Sequence, residues 1–235
     1  MTFDVRAVQE RLAYLGFAPG PADGILGPRT NAAIIAFKRS LGLAATSYYG
    51  PITAAALFGS EMPEAPPDPI RESTLPWIRE AVKLIGRHEV EDNAELRAWL
   101  RSDGTTLGDP AQMKWCGDFV ETAIRLGLGP AEIVPKNPYW ALNWRGFGVP
   151  SPASFGAVAS ITRDGGGHVG FLVGEDDGRY YLLGGNQANR VSVVPVDKSR
   201  FVPEAFRWPS TYAWPSMPER LPRLTSAAAS NLSEA

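Results

Sequence analysis

Apolar positions in the first sixty residues recur at steps of three and four. Val5, Val8, Leu12 and Leu15 share one helical face, and the pattern ends near Gly16. Ile34, Phe37 and Leu41 repeat it, and a third run extends from Ala54 to Phe58. The second and third runs have matching starts, "GPRTNAAIIAF" from Gly27 and "GPITAAALF" from Gly50. Glycine permits a tight turn and proline is pre-shaped for a first helical turn, so both read as helix starts. The pattern predicts a three-helix bundle over residues 1–59, near the lower size limit for a core without staples.

The pattern then lapses. Residues 60–75 carry Pro63, Pro66, Pro67 and Pro69 among charges and predict a semi-stiff linker. Beyond it, Trp77, Ile78, Ala81, Val82 and Ile85 predict a helix broken at Gly86, and Ala94, Leu96, Trp99 and Leu100 continue it. A stronger helical pattern spans Gln112 to Gly127. Phe119, Val120, Ala123, Ile124 and Leu126 face inward, Asp118, Glu121 and Arg125 face outward, and Gly127 and Gly129 stop it. Later the period becomes two. "GHVGFLVG", "RYYLLGG" and "VSVVPV" read as strands separated by "EDDG" and "NQANR". Helices followed by antiparallel strands make residues 76–209 an α+β domain. The tail, 210–235, ends in "TSAAASNLSEA" and is expected to be disordered or partly helical.

Composition narrows the function. Hydrophobic residues make up 44% and charged residues 20% of 235, as in a globular protein. The net charge of -2 gives no basic field for nucleic acid or an anionic membrane. No apolar run approaches the length of a membrane span, and "MTFDVRAVQERL" has no signal-peptide core. The expectation is synthesis in the cytoplasm, action in the periplasm or cell wall after export or release, and a monomer. One cysteine and two histidines, His88 and His168, give no disulfide and no metal motif, so neither metal nor cofactor is expected.

The single cysteine, Cys116 in "KWCGDFV", falls in the first turn of the predicted 112–127 helix. A lone cysteine is by default a small core residue, but a helix N-terminus stabilises a thiolate and its free N–H groups can hold an oxyanion. The matching base is His168, at a strand start behind three glycines in "DGGGHVGFLVG". His88 lies among exposed acids and is the weaker candidate. Pairing arithmetic across "EDDG" sets His168 against Gln187, Asn186 or Gly185 for loops of two, three or four residues. An amide there fixes the imidazole tautomer, as in Cys-His-Asn arrangements. Asn186 is favoured because a three-residue loop fits "EDDGR" and a shorter amide is more rigid. Gln112, one helical turn before Cys116, is a weak candidate for a further donor.

Two resemblances follow from these motifs. Residues 4–58, through Val8-Gln9, Leu15-Gly16, Asp23-Gly24, Gly27-Pro28, Thr30 and Phe37-Lys38, resemble the peptidoglycan-binding-like module of cell-wall hydrolases. That implies a docking module contacting glycan or stem peptide, with Asp23, Gly27, Tyr48 and Tyr49 at its contact surface. Residues 76–208, through "WCGDFV", "GHVGFLVG" and "LLGGNQANRVSV", resemble the papain-like cell-wall peptidases, NlpC-type and CHAP amidases. This resemblance implies Cys116 as nucleophile, His168 as base, Asn186 or Gln187 as orienting group, and Trp115 beside the substrate. No Asp immediately precedes the Cys and no Glu-x-Asn pair is present, so the third residue and the cleaved bond stay open. The implied protein is a peptidoglycan hydrolase of endolysin type. Alternatives are an injected antibacterial amidase with an immunity protein as partner, and a non-catalytic wall-binding or virion structural protein.

Overall fold

The computed structural model describes residues 4–59, 70–163, 165–201, 204–215, 221–225 and 229. The first three helices are α1 (Val5–Tyr14), α2 (Pro28–Ser40) and α3 (Pro51–Phe58). Asp4 caps α1, its Oδ1 accepting from the backbone N–H of Arg6 at 3.0 Å and of Ala7 at 3.3 Å. Proline occupies the first turn of both α2 and α3, as their matching starts predict. Val8, Leu12, Ala33, Ile34, Phe37 and Leu57 form the core of this bundle. Leu15 and Leu41, expected on the buried faces, are the C-cap residues of α1 and α2 and are exposed, because the chain turns away there.

A second, larger core belongs to the rest of the chain. It is built from α4 (Pro76–Val82), α5 (Asn93–Leu100), α6 (Cys116–Leu128) and six strands. These are β1 (Val149–Pro150), β2 (Val158–Arg163), β3 (Gly166–Glu175), β4 (Arg179–Gln187), β5 (Arg190–Asp197) and β6 (Phe206–Trp208). They form one sheet in the order β1-β6-β2-β3-β4-β5, with every pairing antiparallel. α6 lies across β3 and β4, and α4 packs on α6. The mixed α+β class is therefore as expected. β2 carries no alternating signal because Val158, Ala159, Ser160 and Ile161 are all buried.

Several finer expectations need correction. α6 starts at Cys116; Gln112 lies in a preceding turn, where its N–H and that of Met113 donate to the Asp109 carbonyl. Gly127 lies inside α6, and Gly129 is the C-cap. Asp118 and Glu121, expected to face solvent, are each 1% exposed. The 103–107 loop covers that side of α6: Asp118 Oδ2 accepts from the Leu107 N–H at 3.0 Å and the Thr106 hydroxyl at 3.3 Å. Arg125 is half-buried and donates to Glu121 at 2.9 Å.

Residues 60–69 of the expected linker lie outside the described residues, but Ile70 is fully buried in the larger core. The described part of the tail is packed too. Trp214 meets Trp208 edge-on at 4.7 Å, and the Leu224 N–H donates to the Glu175 carbonyl at the end of β3. Apolar anchors too sparse to show a period explain why neither attachment is visible in the sequence.

Candidate functional site

Cys116 is the first residue of α6, whose N-cap, Trp115, makes no side-chain cap. The first N–H groups of the helix are thus left for other partners. Gly117 lets the 138–139 loop approach: a Cβ there would stand 2.3 Å from the Pro138 carbonyl oxygen. That approach makes Tyr139 and Trp140 one wall of a cavity of about 440 Å³ over Cys116. Lys114, Arg163 and Asn186 line the same cavity. An adjoining hollow of about 250 Å³ reaches His168 and Gln187 and shares Arg163 and Asn186 with the first.

His168 is on β3 and is 4% exposed. The Val169 N–H, one residue on, reaches the Cys116 sulfur and favours its thiolate. Cys116 and His168, the two expected reactive residues, thus line adjoining hollows that share Arg163 and Asn186. The His168 Nε2 lies 2.9 Å from Gln187 Oε1. The Gln187 Nε2 donates to the carbonyls of Leu182 at 3.3 Å, Gly184 at 3.1 Å and Ser192 at 2.5 Å. Three acceptors around the amide nitrogen leave only the oxygen end for His168. An amide oxygen only accepts, so His168 Nε2 carries the hydrogen and Nδ1 holds the free lone pair. Nδ1 is buried and has no hydrogen-bond partner among the described residues.

The choice between the two amides turns on backbone shape. At the hairpin, Glu175 pairs with Tyr180; a bulge at Val173 then shifts the register, so Phe171 pairs with Leu183. Continued evenly, that register would put Asn186 opposite His168. It does not continue. Asn186, Ala188 and Asn189 take φ of 56°, 51° and 64°, and the β4–β5 register slips between Gly184 and Gln187. The left-handed turn at Asn186 breaks strand alternation and delivers Gln187 to the imidazole. Asn186 instead donates from Nδ2 to the Met113 carbonyl at 3.3 Å.

Burial dominates the electrostatics. It pushes the Cys116 thiol above its ordinary value, partly offset by the Val169 N–H, Arg163 and the first N–H groups of α6. It lowers His168 to about 4, against the opposing effect of the hydrogen bond that the imidazole donates to Gln187, with Arg163 and Arg200 adding to the drop. The resting pair is therefore neutral thiol and neutral imidazole. Burial also raises Asp118 to about 7. Among the described residues no group of acids, histidines and cysteine is placed to hold a metal.

The other predicted residues separate. Trp115 is fully buried, with its indole N–H donating to Glu89 Oε2 at 2.8 Å, so it supports the site from beneath and cannot touch substrate. Gln112 is exposed in the 109–113 turn, not one helical turn before the nucleophile. His88 accepts from the Val90 N–H at 3.2 Å, contacts Glu91 and pairs through its backbone with Arg190 at the tip of the β4–β5 hairpin. In the bundle, Asp23 accepts from Gln9 at 3.0 Å and Gly27 is the N-cap of α2. Tyr49 packs on the bundle core and Tyr48 lies under the Arg190 guanidinium at 5.3 Å, so neither is an open platform. Sequence reasoning passed over Lys114, Tyr139, Trp140, Arg163 and Arg200. Only the adjacent Tyr139-Trp140 pair, following Asn137-Pro138 in a loop, carried any signal.

Residues 4–57 match the family model of a putative peptidoglycan-binding domain. The chain is 39% identical over 92 residues to the N-acetylmuramoyl-L-alanine amidase CwlM of Mycobacterium tuberculosis, covering 38% of this chain and 22% of that protein. It is 42% identical over 57 residues to the putative OxPP cycle protein OpcA of Synechocystis, covering 24% of this chain and 12% of that one. The chain thus spans less than a quarter of the length of these curated relatives. No solved structure matches it significantly.

Proposed function

We infer that this chain acts at the cell wall, a reading supported by the match of its N-terminal bundle to a putative peptidoglycan-binding domain and by the partial match to an amidase. We propose that the larger domain hydrolyses an amide bond of peptidoglycan, with Cys116 as nucleophile, His168 as base and Gln187 as the orienting amide. One observation carries this reading. Gln187 saturates one nitrogen of a buried histidine and leaves the other as a lone pair, in a hollow that adjoins the one over the chain's only cysteine at a helix start. A buried, fully structural histidine would have both nitrogens satisfied.

In this mechanism, His168 Nδ1 takes the thiol proton as the sulfur attacks the carbonyl carbon. The uncapped N–H groups of α6 receive the negative charge that forms on the carbonyl oxygen. The imidazolium then protonates the leaving amine, and the C–N bond breaks to give a thioester. Water, losing a proton to His168, attacks the thioester and frees the acid and the thiol. Lys114, Arg163 and Arg200 line the two hollows, and no carboxylate stands among their described lining residues. In a chain of net charge -2, that local excess suits an anionic stem peptide. Trp140, 54% exposed at the rim, offers a flat apolar face to the glycan or peptide.

A wall-binding domain ahead of such a hydrolase is the plan of a modular endolysin, and the resemblance to papain-like cell-wall peptidases supports the same assignment. The test is digestion of purified sacculi followed by mass spectrometry. The native chain should release new amino termini at one class of amide. Cys116→Ala should release none while still pelleting with the sacculi. Release at the native rate from Cys116→Ala would exclude the cysteine mechanism.

A further inference from the structure

The bundle makes direct contact with the larger domain. The Asn31 Nδ2 on α2 donates to Glu91 Oε1 at 2.9 Å. The Arg87 Nη1 donates to the Ala45 carbonyl at 3.3 Å. The Arg190 guanidinium stacks on Tyr48. On the side of the larger domain all three contacts fall on two adjoining pieces of chain, residues 87–91 and the tip of the β4–β5 hairpin.

Those pieces are joined to each other and to the reactive groups. The Gly86 N–H donates to the Val191 carbonyl at 2.8 Å, the Val191 N–H to Arg87 at 3.0 Å, and the Glu89 N–H to Asn189 at 2.8 Å. The segment thereby pairs with the hairpin tip as a short extra strand. The tip is the strained part of the sheet, with three non-glycine residues at positive φ between Asn186 and Asn189. Arg190 pairs directly with Gln187, the residue that fixes His168. Glu89 also accepts the Trp115 indole N–H, one residue before Cys116. The Trp115 ring closes the circuit, because a Cβ on Gly185 would stand 2.3 Å from it. One short segment therefore touches the supports of both the nucleophile and the base.

We infer that the peptidoglycan-binding domain is a positioning element of the active site: it holds segment 87–91 and Arg190, which in turn keep the strained Gln187 hairpin in the geometry that orients His168. The inference rests on the hydrolase reading for its kinetic consequence, but its structural half stands apart from it. Left-handed backbone at three residues persists only where surrounding contacts over-determine it. Asn31, Ala45 and Tyr48 hold Glu91, Arg87 and Arg190, which flank that backbone, from a domain with no residue among those described as lining the two hollows.

The experiment uses the full chain carrying Asn31→Ala with Tyr48→Ala, assayed on a soluble muropeptide so that adsorption to the wall does not enter. The expected result is a fall in kcat of about 5-fold or more, the usual size of a coupling between sites, with KM little changed. Amide exchange at 187–191 should speed up while exchange in β2 and β3 stays native, which separates loosening of the hairpin from general unfolding. Asn31→Ala with Tyr48→Phe, which keeps the ring face under Arg190, should recover most of the loss. Native kcat in the Ala variant overturns the inference, whether or not exchange changes. If the native chain hydrolyses nothing, the hydrolase reading fails on its own. Exchange at 187–191 and the rate of Cys116 alkylation then decide: native values for both in the variant overturn the positioning role, and a change in both sustains it.

Discussion

Each domain of this protein is built around a buried glutamine, and the two differ in what is left over. In the wall-binding domain, Gln9 is 1% exposed. Its Nε2 donates to Asp23, the Ile25 carbonyl and Thr30, all at 3.0 Å, and its Oε1 accepts from the Gly24 N–H at 2.9 Å. Every arm of that network ends on a partner, and its product is a fixed 23–30 loop. Gln187 likewise donates to three carbonyls and accepts once. Its network, however, ends on a histidine whose second nitrogen is buried and has no partner among the described residues. A saturated buried network holds a fold; one that stops an atom short leaves a lone pair at a desolvation cost, and the proposed hydrolase mechanism gives that lone pair a use.

The largest effect expected from breaking that contrast is at Gln187. Gln187→Ala frees the imidazole to take the wrong tautomer and should lower kcat on the order of 10²-fold. Asn186→Ala removes only a 3.3 Å bond to the Met113 carbonyl and should cost less than about 5-fold, with part of the loss traceable to stability at a positive φ. Steady-state kinetics on the two variants, read beside their melting temperatures, checks the pair. Equal losses of kcat would mean that Gln187 does not orient His168.

A smaller and graded effect comes from pH. With His168 at about 4, kcat/KM should stay level from neutrality down to about pH 5 and fall as pH drops through about 4, where the base is protonated. The Gln187 bond raises this value, so Gln187→Ala should move the acid limb to still lower pH. The same shift bears on stability. The folded state resists protonating His168, so the unfolded chain binds the proton more readily. The contribution of this group to stability is thus intact above 6.5 and is lost as pH falls from 6.5 towards 4. An acid limb near the ordinary histidine value would show that the imidazole is solvated in the working enzyme.

The smallest effect on turnover is expected at Gln9. Gln9→Ala strands Thr30 and the 23–30 loop and should destabilise the wall-binding domain by about 1–3 kcal/mol. Below the unfolding transition, kcat on a soluble muropeptide should remain within about 2-fold of native, because Gln9 contacts neither segment 87–91 nor the β4–β5 hairpin. Calorimetry and kinetics on this variant place the two glutamines side by side, one governing stability and the other rate.

The sequence was most legible where local rules act alone. Repeated Gly-Pro helix starts and three- and four-residue apolar steps located α1, α2 and α3, and the change to a period of two located β3, β4 and β5. It was misleading where a second layer covers a polar face. Asp118 and Glu121 read as the outer side of α6 but lie beneath the 103–107 loop. It was silent where burial removes alternation, as in β2, or where single anchors such as Ile70 and Leu224 attach a segment without any period.

Residue types and their order by themselves determined the three-helix bundle, the α+β class of the larger domain, and Cys116 and His168 as the reactive candidates. Each of those follows from periodicity or from side-chain chemistry, which a linear chain displays. Only the tertiary structure decided that Gln187 and not Asn186 meets His168, that Trp115 is a buried support, and that Arg163 and Trp140 stand at the groove. Register beyond a bulge depends on φ at a few residues, and a groove wall depends on which loops meet. Both are set by packing between segments far apart in the chain, so no local pattern records them.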